Sequence, residues 1–397
     1  MKRWGLTCIA VLLLAPAATA APPLATRLAQ ALAVPGNSPT RSSAIAVDLL
    51  TGQTLFARNA DRSLAPASNE KLSVTYAALR ELGTSYHFRT AVLSQGSQDG
   101  AVWHGDVYLR GYGDPTLSSA QLTALATQLQ DLGIEHIDGR VVGDESWFDT
   151  QRTAPGWKSI FFINESPPLS ALVVDRDFYD GHHALQPALA AAGGFKRVLR
   201  THGITAGAAA AGRAPDDAYG LAQVESAPLP EVLAQMDRDS DNFTAEMVLK
   251  TLGAEVGTAG TTAAGVVIVL RDLAAAGVPL AGVRMFDGSG LSLDDRLTAN
   301  ALAGLLVAAW NDPDLRNPFW ASLPVAGVSG TLEDRMRRAP ARGAVRAKTG
   351  TTNRASALSG YVRDRFVFAV LQNGFPVSTW SARQAQDRFA TALAAAA

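Results

Sequence analysis

Val345-Arg346-Ala347-Lys348-Thr349-Gly350-Thr351 sets Val345, Ala347 and Thr349 at every second position, the period of a β-strand. Two more strand-like runs follow, Ala357 to Val362 and Phe366 to Leu371, turning at Arg363-Asp364. Near the other end Ile45, Val47 and Leu49 alternate, and Leu55 and Phe56 come after a Thr51-Gly52 turn, which predicts a hairpin. Helical periods lie between. Leu72, Tyr76 and Leu79 share one face of a segment led in by Pro66 and stopped by Gly83. Leu233 to Met236, Phe243 to Leu252, Ala263 to Ala275 and Thr298 to Trp310 continue that texture, and a last helix begins near Ser381. Strands at both ends with helices between predict an α+β fold whose antiparallel sheet combines N- and C-terminal pieces.

The middle of the chain differs. Residues 91–225 hold short strands (within Val102 to Leu109 and Ile137 to Val142) and many glycines, and read as a mostly β accessory module. The module interrupts a domain made of residues 21–90 and 226–397. The Ala/Gly-rich stretch Gly203 to Gly212 reads as a loose loop.

With 397 residues there is room for two or three domains of roughly 150 residues each. A hydrophobic share of 47% and a charged share of 18% suit a packed core and exclude a disordered chain. The 35 Lys and Arg against 36 Asp and Glu give a net charge of -1, without the dense positive field of a nucleic-acid binder. Residues 1–20 read as an export signal: Lys2 and Arg3, an apolar stretch from Ile9 to Leu14, and Ala18-Thr19-Ala20 as the cleavage site. The expected location is therefore periplasmic or the cell surface. The mature chain would carry no membrane span, and the final helix balances Arg383 and Arg388 with Asp387, too weakly basic for a lipid anchor. Cys8 is the single cysteine and leaves with the signal, so a disulfide framework, a thiolate metal site and a cysteine nucleophile are all excluded.

Three short stretches can carry chemistry. Ser68-Asn69-Glu70-Lys71 places a hydroxyl and an amine on one face at a helix start. A desolvated, neutral amine there could take the hydroxyl's proton, and the helix N-terminus favours a developing anion. Ser240-Asp241-Asn242 opens a second helix and offers another hydroxyl and an orienting amide. Lys348-Thr349-Gly350-Thr351 offers a strand edge for an extended peptide and a cation for a carboxylate, while Gly350 permits close approach. Taken singly, the first is better read as a helix cap and the third as a strand end, and the second is equally well a cap.

The three together, once each and in this order, match the signature of penicillin-binding proteins and class A β-lactamases. Further stretches narrow the likeness. Ser240-Asp241-Asn242-Phe243-Thr244-Ala245-Glu246, Gly113-Asp114-Pro115-Thr116-Leu117, Asp287-Gly288-Ser289-Gly290-Leu291, Leu323-Pro324-Val325-Ala326-Gly327 and Ala357-Leu358-Ser359-Gly360-Tyr361 resemble the D-alanyl-D-alanine carboxypeptidase/endopeptidases. These are the class C low-molecular-mass penicillin-binding proteins, and the likeness covers most of the chain.

The resemblance implies a transpeptidase-like domain with a large insertion between the first two motifs, here read as trimmed after Val173-Val174-Asp175-Arg176. It implies that Ser68 is the acylated nucleophile, Lys71 its base and Ser240 a proton relay to the leaving amine. Asn242 would hold the substrate amide, and Lys348, Thr349, Gly350 and Thr351 the carboxylate end of the substrate. The backbone N–H groups of Ser68 and Thr351 would form the oxyanion hole, worth about 3–4 kcal/mol per donor in a comparable hydrolase. Substrates would be peptidoglycan stem peptides, with β-lactams as acylating agents and no cofactor or metal. Asp287-Gly288-Ser289-Gly290 reads equally as cleft lining or a plain glycine turn, and Gly113-Asp114-Pro115 as structural.

Other classes fit less well. No G-x-S-x-G elbow occurs, and all six histidines lie between His87 and His202, in or beside the insertion, which disfavours a Ser-His-Asp hydrolase. No H-E-x-x-H helix exists for a zinc peptidase, and the adjacent His182 and His183 point different ways. A β-lactamase shares the trio but deacylates rapidly, and the E-x-x-L-N pattern of class A is missing. A non-catalytic cell-wall binder or β-lactam sensor on the same scaffold is the remaining alternative.

Overall fold

The computed structural model describes residues 22–179 and 181–397, so the export signal and Cys8 lie outside the described residues. The chain starts with α1 (Leu24–Ala31), which sequence periodicity did not single out, and then forms the hairpin β1 (Ser42–Asp48) and β2 (Thr54–Arg58). A single 3-10 turn over residues 67–70 feeds α2 (Lys71–Glu81), whose residues from Lys71 to Leu79 are buried on every face. A helix buried all round is a central helix, not a surface one.

The chain then leaves this frame. The insertion contains β3 (Arg89–Ser94), β4 (Ser97–Asp99), β5 (Val102–His104), β6 (Val107–Gly111), α3 (Ser119–Asp131), β7 (His136–Ile137) and β8 (Val141–Asp144). It continues through a short turn α4 (Phe161–Asn164), β9 (Phe178–Tyr179), β10 (His182–His183), α5 (Pro187–Thr201), β11 (Thr205–Ala206), β12 (Ala209–Ala211) and β13 (Tyr219–Glu225). Its strands form sheets ordered β12-β8-β6-β3-β13 and β11-β7-β5-β4, besides the small β9–β10 pair. The β6–β8 and β8–β12 pairs are parallel, so they need crossovers, which α3 and α5 supply while burying Leu125, Leu129, Phe195 and Leu199.

Gly203 to Gly212 corrects the expectation of a loose loop. β11 and β12 pair in parallel with β7 and β8. The composition that suggested disorder is a packing requirement: a Cβ on Gly207 would stand 2.4 Å from the Gly139 carbonyl oxygen.

The return path runs through α6 (Leu229–Asp239), α7 (Asn242–Glu255), α8 (Thr262–Ala275), α9 (Ala299–Asn311) and α10 (Pro313–Ser322). It ends in β14 (Val345–Thr351), β15 (Ala355–Val362), β16 (Phe366–Asn373) and α11 (Thr379–Ala394). The five-stranded order β14-β15-β16-β1-β2 is antiparallel throughout and joins both ends of the chain. The period of two explains why β15 and β16 are apolar on both faces. Val367, Ala369 and Leu371 pack toward α2, α7, α8 and α9, whereas Phe368 and Val370 pack toward α1 and α11. β14 is an edge. Among the described residues no helix is long and apolar enough to cross a membrane.

Candidate active site

The site lies where the start of α2, the α6–α7 junction and the edge strand β14 converge on a cavity of about 260 Å³. Ser68, Ser240, Asn242, Thr349 and Thr351 line it, and Glu165 of the insertion closes one side. Ser68 sits in the 3-10 turn behind Ala67, whose φ of 48° is a strained value for a residue with a side chain. Two glycines clamp that turn. A Cβ on Gly290 would stand 1.9 Å from the Ala67 carbonyl oxygen, and one on Gly350 2.8 Å from that of Pro66. Asn69 Nδ2 donates to the Lys348 carbonyl at 3.1 Å, tying the turn to β14.

Lys71 is fully buried and its Nζ donates to Ser68 Oγ at 3.1 Å, Asn242 Oδ1 at 2.8 Å and the Ser289 carbonyl at 2.6 Å. Burial pulls its pKa down to about 8 against the upward pull of Asp287, Asp241, Glu246 and Asp237. Lys348, also fully buried, donates from Nζ to Ser240 Oγ at 2.7 Å and to the Thr349 carbonyl at 3.1 Å. Burial first, then the charge of Lys71, lower it to about 7, with Asp237 opposing. Thr349 Oγ1 and Thr331 Oγ1 are 2.8 Å apart. Two hydroxyl–amine pairs therefore face one cavity, each amine far more easily deprotonated than a lysine in water.

Local sequence explains each placement. Ser240 ends α6 in the left-handed region at φ 60°, and Asp241 caps α7 by accepting the Thr244 N–H at 2.7 Å. The helix-capping role and the position at the cavity are thus both true of this tripeptide. On β14 the Ala347 N–H points off the sheet edge, donating to the Pro324 carbonyl at 3.0 Å. The strand period carries the Thr349 and Thr351 N–H groups to that same open edge.

Sequence periodicity missed a supporting layer. Trp157 Nε1 of the insertion donates to Asp287 Oδ2 at 2.8 Å, and Asn242 Nδ2 donates to the Glu165 carbonyl at 3.1 Å. Arg176 pairs with Asp241 at 2.5 Å. Asp287 also accepts the N–H groups of Gly290 and Ser292, and Glu246 Oε1 those of Gly288 and Ser289. Asp287-Gly288-Ser289-Gly290 is therefore no plain turn, since it aims a carbonyl at Lys71 and braces Ser68. Its signals in the sequence were the pair of glycines and the family resemblance of the stretch. Burial, reinforced by neighbouring carboxylates, lifts Glu70 well above the ordinary carboxylate range and Glu246 to about 8. Among the described residues no group of His, Cys, Asp and Glu could hold a metal ion.

Known proteins resemble this chain over most of its length. A D-alanyl-D-alanine carboxypeptidase of Actinomadura sp. (strain R39) is 32% identical, aligned over 84% of this chain and 78% of that protein. A carboxypeptidase of Mycobacterium tuberculosis is 33% identical over 94% of this chain and 85% of its own length. The crystal structure of penicillin binding protein 4 from Haemophilus influenzae superposes with a TM-score of 0.81 at 23% identity, covering 93% of this chain and 98% of that one, a likeness of fold. The sequence pattern of the D-Ala-D-Ala carboxypeptidase 3 (S13) family matches residues 24–185 and 179–396. Spanned nearly end to end by that pattern, the chain belongs to the D-Ala-D-Ala carboxypeptidase 3 (S13) family.

Proposed function

We propose that this serine DD-peptidase cleaves D-Ala-D-Ala ends, D-Ala cross-links, or both, in peptidoglycan through a covalent acyl-Ser68, and that β-lactams acylate the same oxygen. The observation that carries the reading is the buried Lys71 amine 3.1 Å from Ser68 Oγ. Neutral Lys71 takes the hydroxyl proton as Oγ attacks the penultimate D-Ala carbonyl. The N–H groups of Ser68 and Thr351 receive the oxyanion. As the amide C–N bond breaks, Ser240 relays to the leaving amine the proton that Lys71 took, which leaves Lys71 neutral again and Lys348 charged. Lys348 and Thr349 hold the terminal carboxylate, with Gly350 leaving the strand open to it. Asn242 keeps one Nδ2 proton beyond the one given to Glu165, which can hold a substrate carbonyl. Water then frees the acyl group from Ser68.

Family membership supports the reaction class, and the names of the relatives support D-alanyl-D-alanine as the substrate end. The structure of the Haemophilus protein complexed with a β-lactam supports acylation by such drugs. We place the protein outside the cytoplasm, where its substrate lies. Ser68→Ala should abolish both fluorescent-penicillin labelling and release of D-alanine from a diacylated Lys-D-Ala-D-Ala peptide, with an unchanged melting temperature. Persistent labelling would defeat the assignment. Nitrocefin should give one stoichiometric burst; sustained turnover would identify a β-lactamase, and penicillin labelling without any D-alanine release a sensor.

A further inference from the structure

A second, larger cavity of about 950 Å³ runs along the outer face of α11, walled by Met336 and Pro340 of the preceding loop. It adjoins the catalytic cavity, and Arg383 lines both. Its threshold is an ion pair: Arg335, in the catalytic cavity, meets Asp387, in the groove, at 2.6 Å. Arg335 follows Thr331, the partner of Thr349, so the groove opens from the side where the leaving amine and the terminal carboxylate sit.

A departing D-alanine needs none of this space. The groove is also built for something amphipathic and anionic. Trp380 lines it with 71% of its surface exposed, an unusual expense for so large an apolar side chain. Arg388 lines it as well, and the adjoining loop carries the exposed Arg337, Arg338 and Arg342, which outnumber the loop's Glu333 and Asp334, in a chain whose net charge is -1. Positive charge concentrated at this one end complements a ligand rich in carboxylates.

We infer that the α11 groove is the subsite for the amine-side stem peptide of a cross-linked peptidoglycan dimer. The inference rests on the DD-peptidase reading and deepens it. When Ser68 Oγ forms its ester, the D-Ala amide C–N bond breaks and the nitrogen leaves protonated, still attached to a second stem. Carboxylates of that stem meet Arg383 and Arg388, and its methyl and methylene groups cover Trp380.

The test compares two substrates with one scissile acyl group, a purified cross-linked muropeptide dimer and the diacylated Lys-D-Ala-D-Ala peptide. Trp380→Ala and Arg388→Glu, both on the exposed face of α11 and away from the catalytic cavity, should each lower kcat/KM for the dimer about tenfold, mainly through KM. D-Alanine release from the small peptide and penicillin labelling should stay within about twofold, since neither depends on the groove. An unchanged dimer rate, or an equal fall on both substrates, would overturn the inference. So would a loss of binding to anionic phosphatidylglycerol vesicles in Arg388→Glu with dimer cleavage intact, which would assign the groove to lipid. A wild-type enzyme that cleaves the small peptide but not the dimer defeats the groove alone. One that cleaves neither and takes up no penicillin defeats the peptidase reading beneath it.

Discussion

At the residue scale the site is a matter of two amines with opposite duties. Lys71 must be neutral to act as a base, and burial brings its pKa to about 8. Lys348 must be charged to hold a carboxylate, and burial with the neighbouring Lys71 brings it to about 7. Activity therefore rises with pH as Lys71 loses its proton and falls as Lys348 does. The expected profile of kcat/KM on a carboxylate-ended peptide is a narrow bell with its maximum between about 7 and 8. The C-terminal amide of the same peptide should lose the alkaline limb, which a pH series on the pair would reveal. For stability the sign is fixed by the ordinary lysine value of 10.5: both folded pKa values lie below it. The two burials thus weaken the fold most at low pH, and that penalty fades as pH climbs through the lowered values toward 10.5. Lys348→Ala should reduce cleavage of the carboxylate-ended peptide more than that of its amide, measured as the ratio of kcat/KM.

At the element scale the nucleophile is placed by what presses on its turn. Gly290→Ala would put a Cβ 1.9 Å from the Ala67 carbonyl and force a side chain onto a φ of 81°. We expect penicillin acylation to fall about a hundredfold, as for a misplacement of about 1 Å, with a lowered melting temperature. Arg176→Ala separates positioning from stability. That side chain is 42% exposed, so its pair with Asp241 contributes little to the fold. Acylation should slow while thermal unfolding barely moves, and equal effects on both would count against a positioning role. Gly113-Asp114-Pro115 belongs to packing, as the sequence suggested: a Cβ on Gly113 would lie 2.5 Å from the Phe148 ring, and Asp114 Oδ1 accepts the Thr116 N–H at 2.8 Å.

At the scale of the whole molecule, insertion and frame share a core. Phe148, Leu169, Ala171 and Val173 pack on Phe243 and Met247 of α7, the helix that begins with Asn242. Phe148→Ala, at a ring only 5% exposed, should cost about 3–5 kcal/mol by denaturant unfolding and slow acylation by loosening this seam. We take residues 91–225 to be a catalytic support as well as an accessory unit, since Trp157, Glu165 and Arg176 all reach the site from there.

The amino-acid sequence by itself determined the sheet that joins the chain's two ends, several of the helices between them, and three chemical stretches, because alternation, helical period and local spacing are written in consecutive residues. Only the tertiary structure decided that Lys348 serves Ser240, why Gly290 must be glycine, and how the insertion grips the site. Contacts such as Trp157 to Asp287, 130 positions apart, leave no periodic trace along the chain. The order within Gly203 to Gly212 was hidden for the same reason, since its small residues acquire structure only against the partner strands they touch.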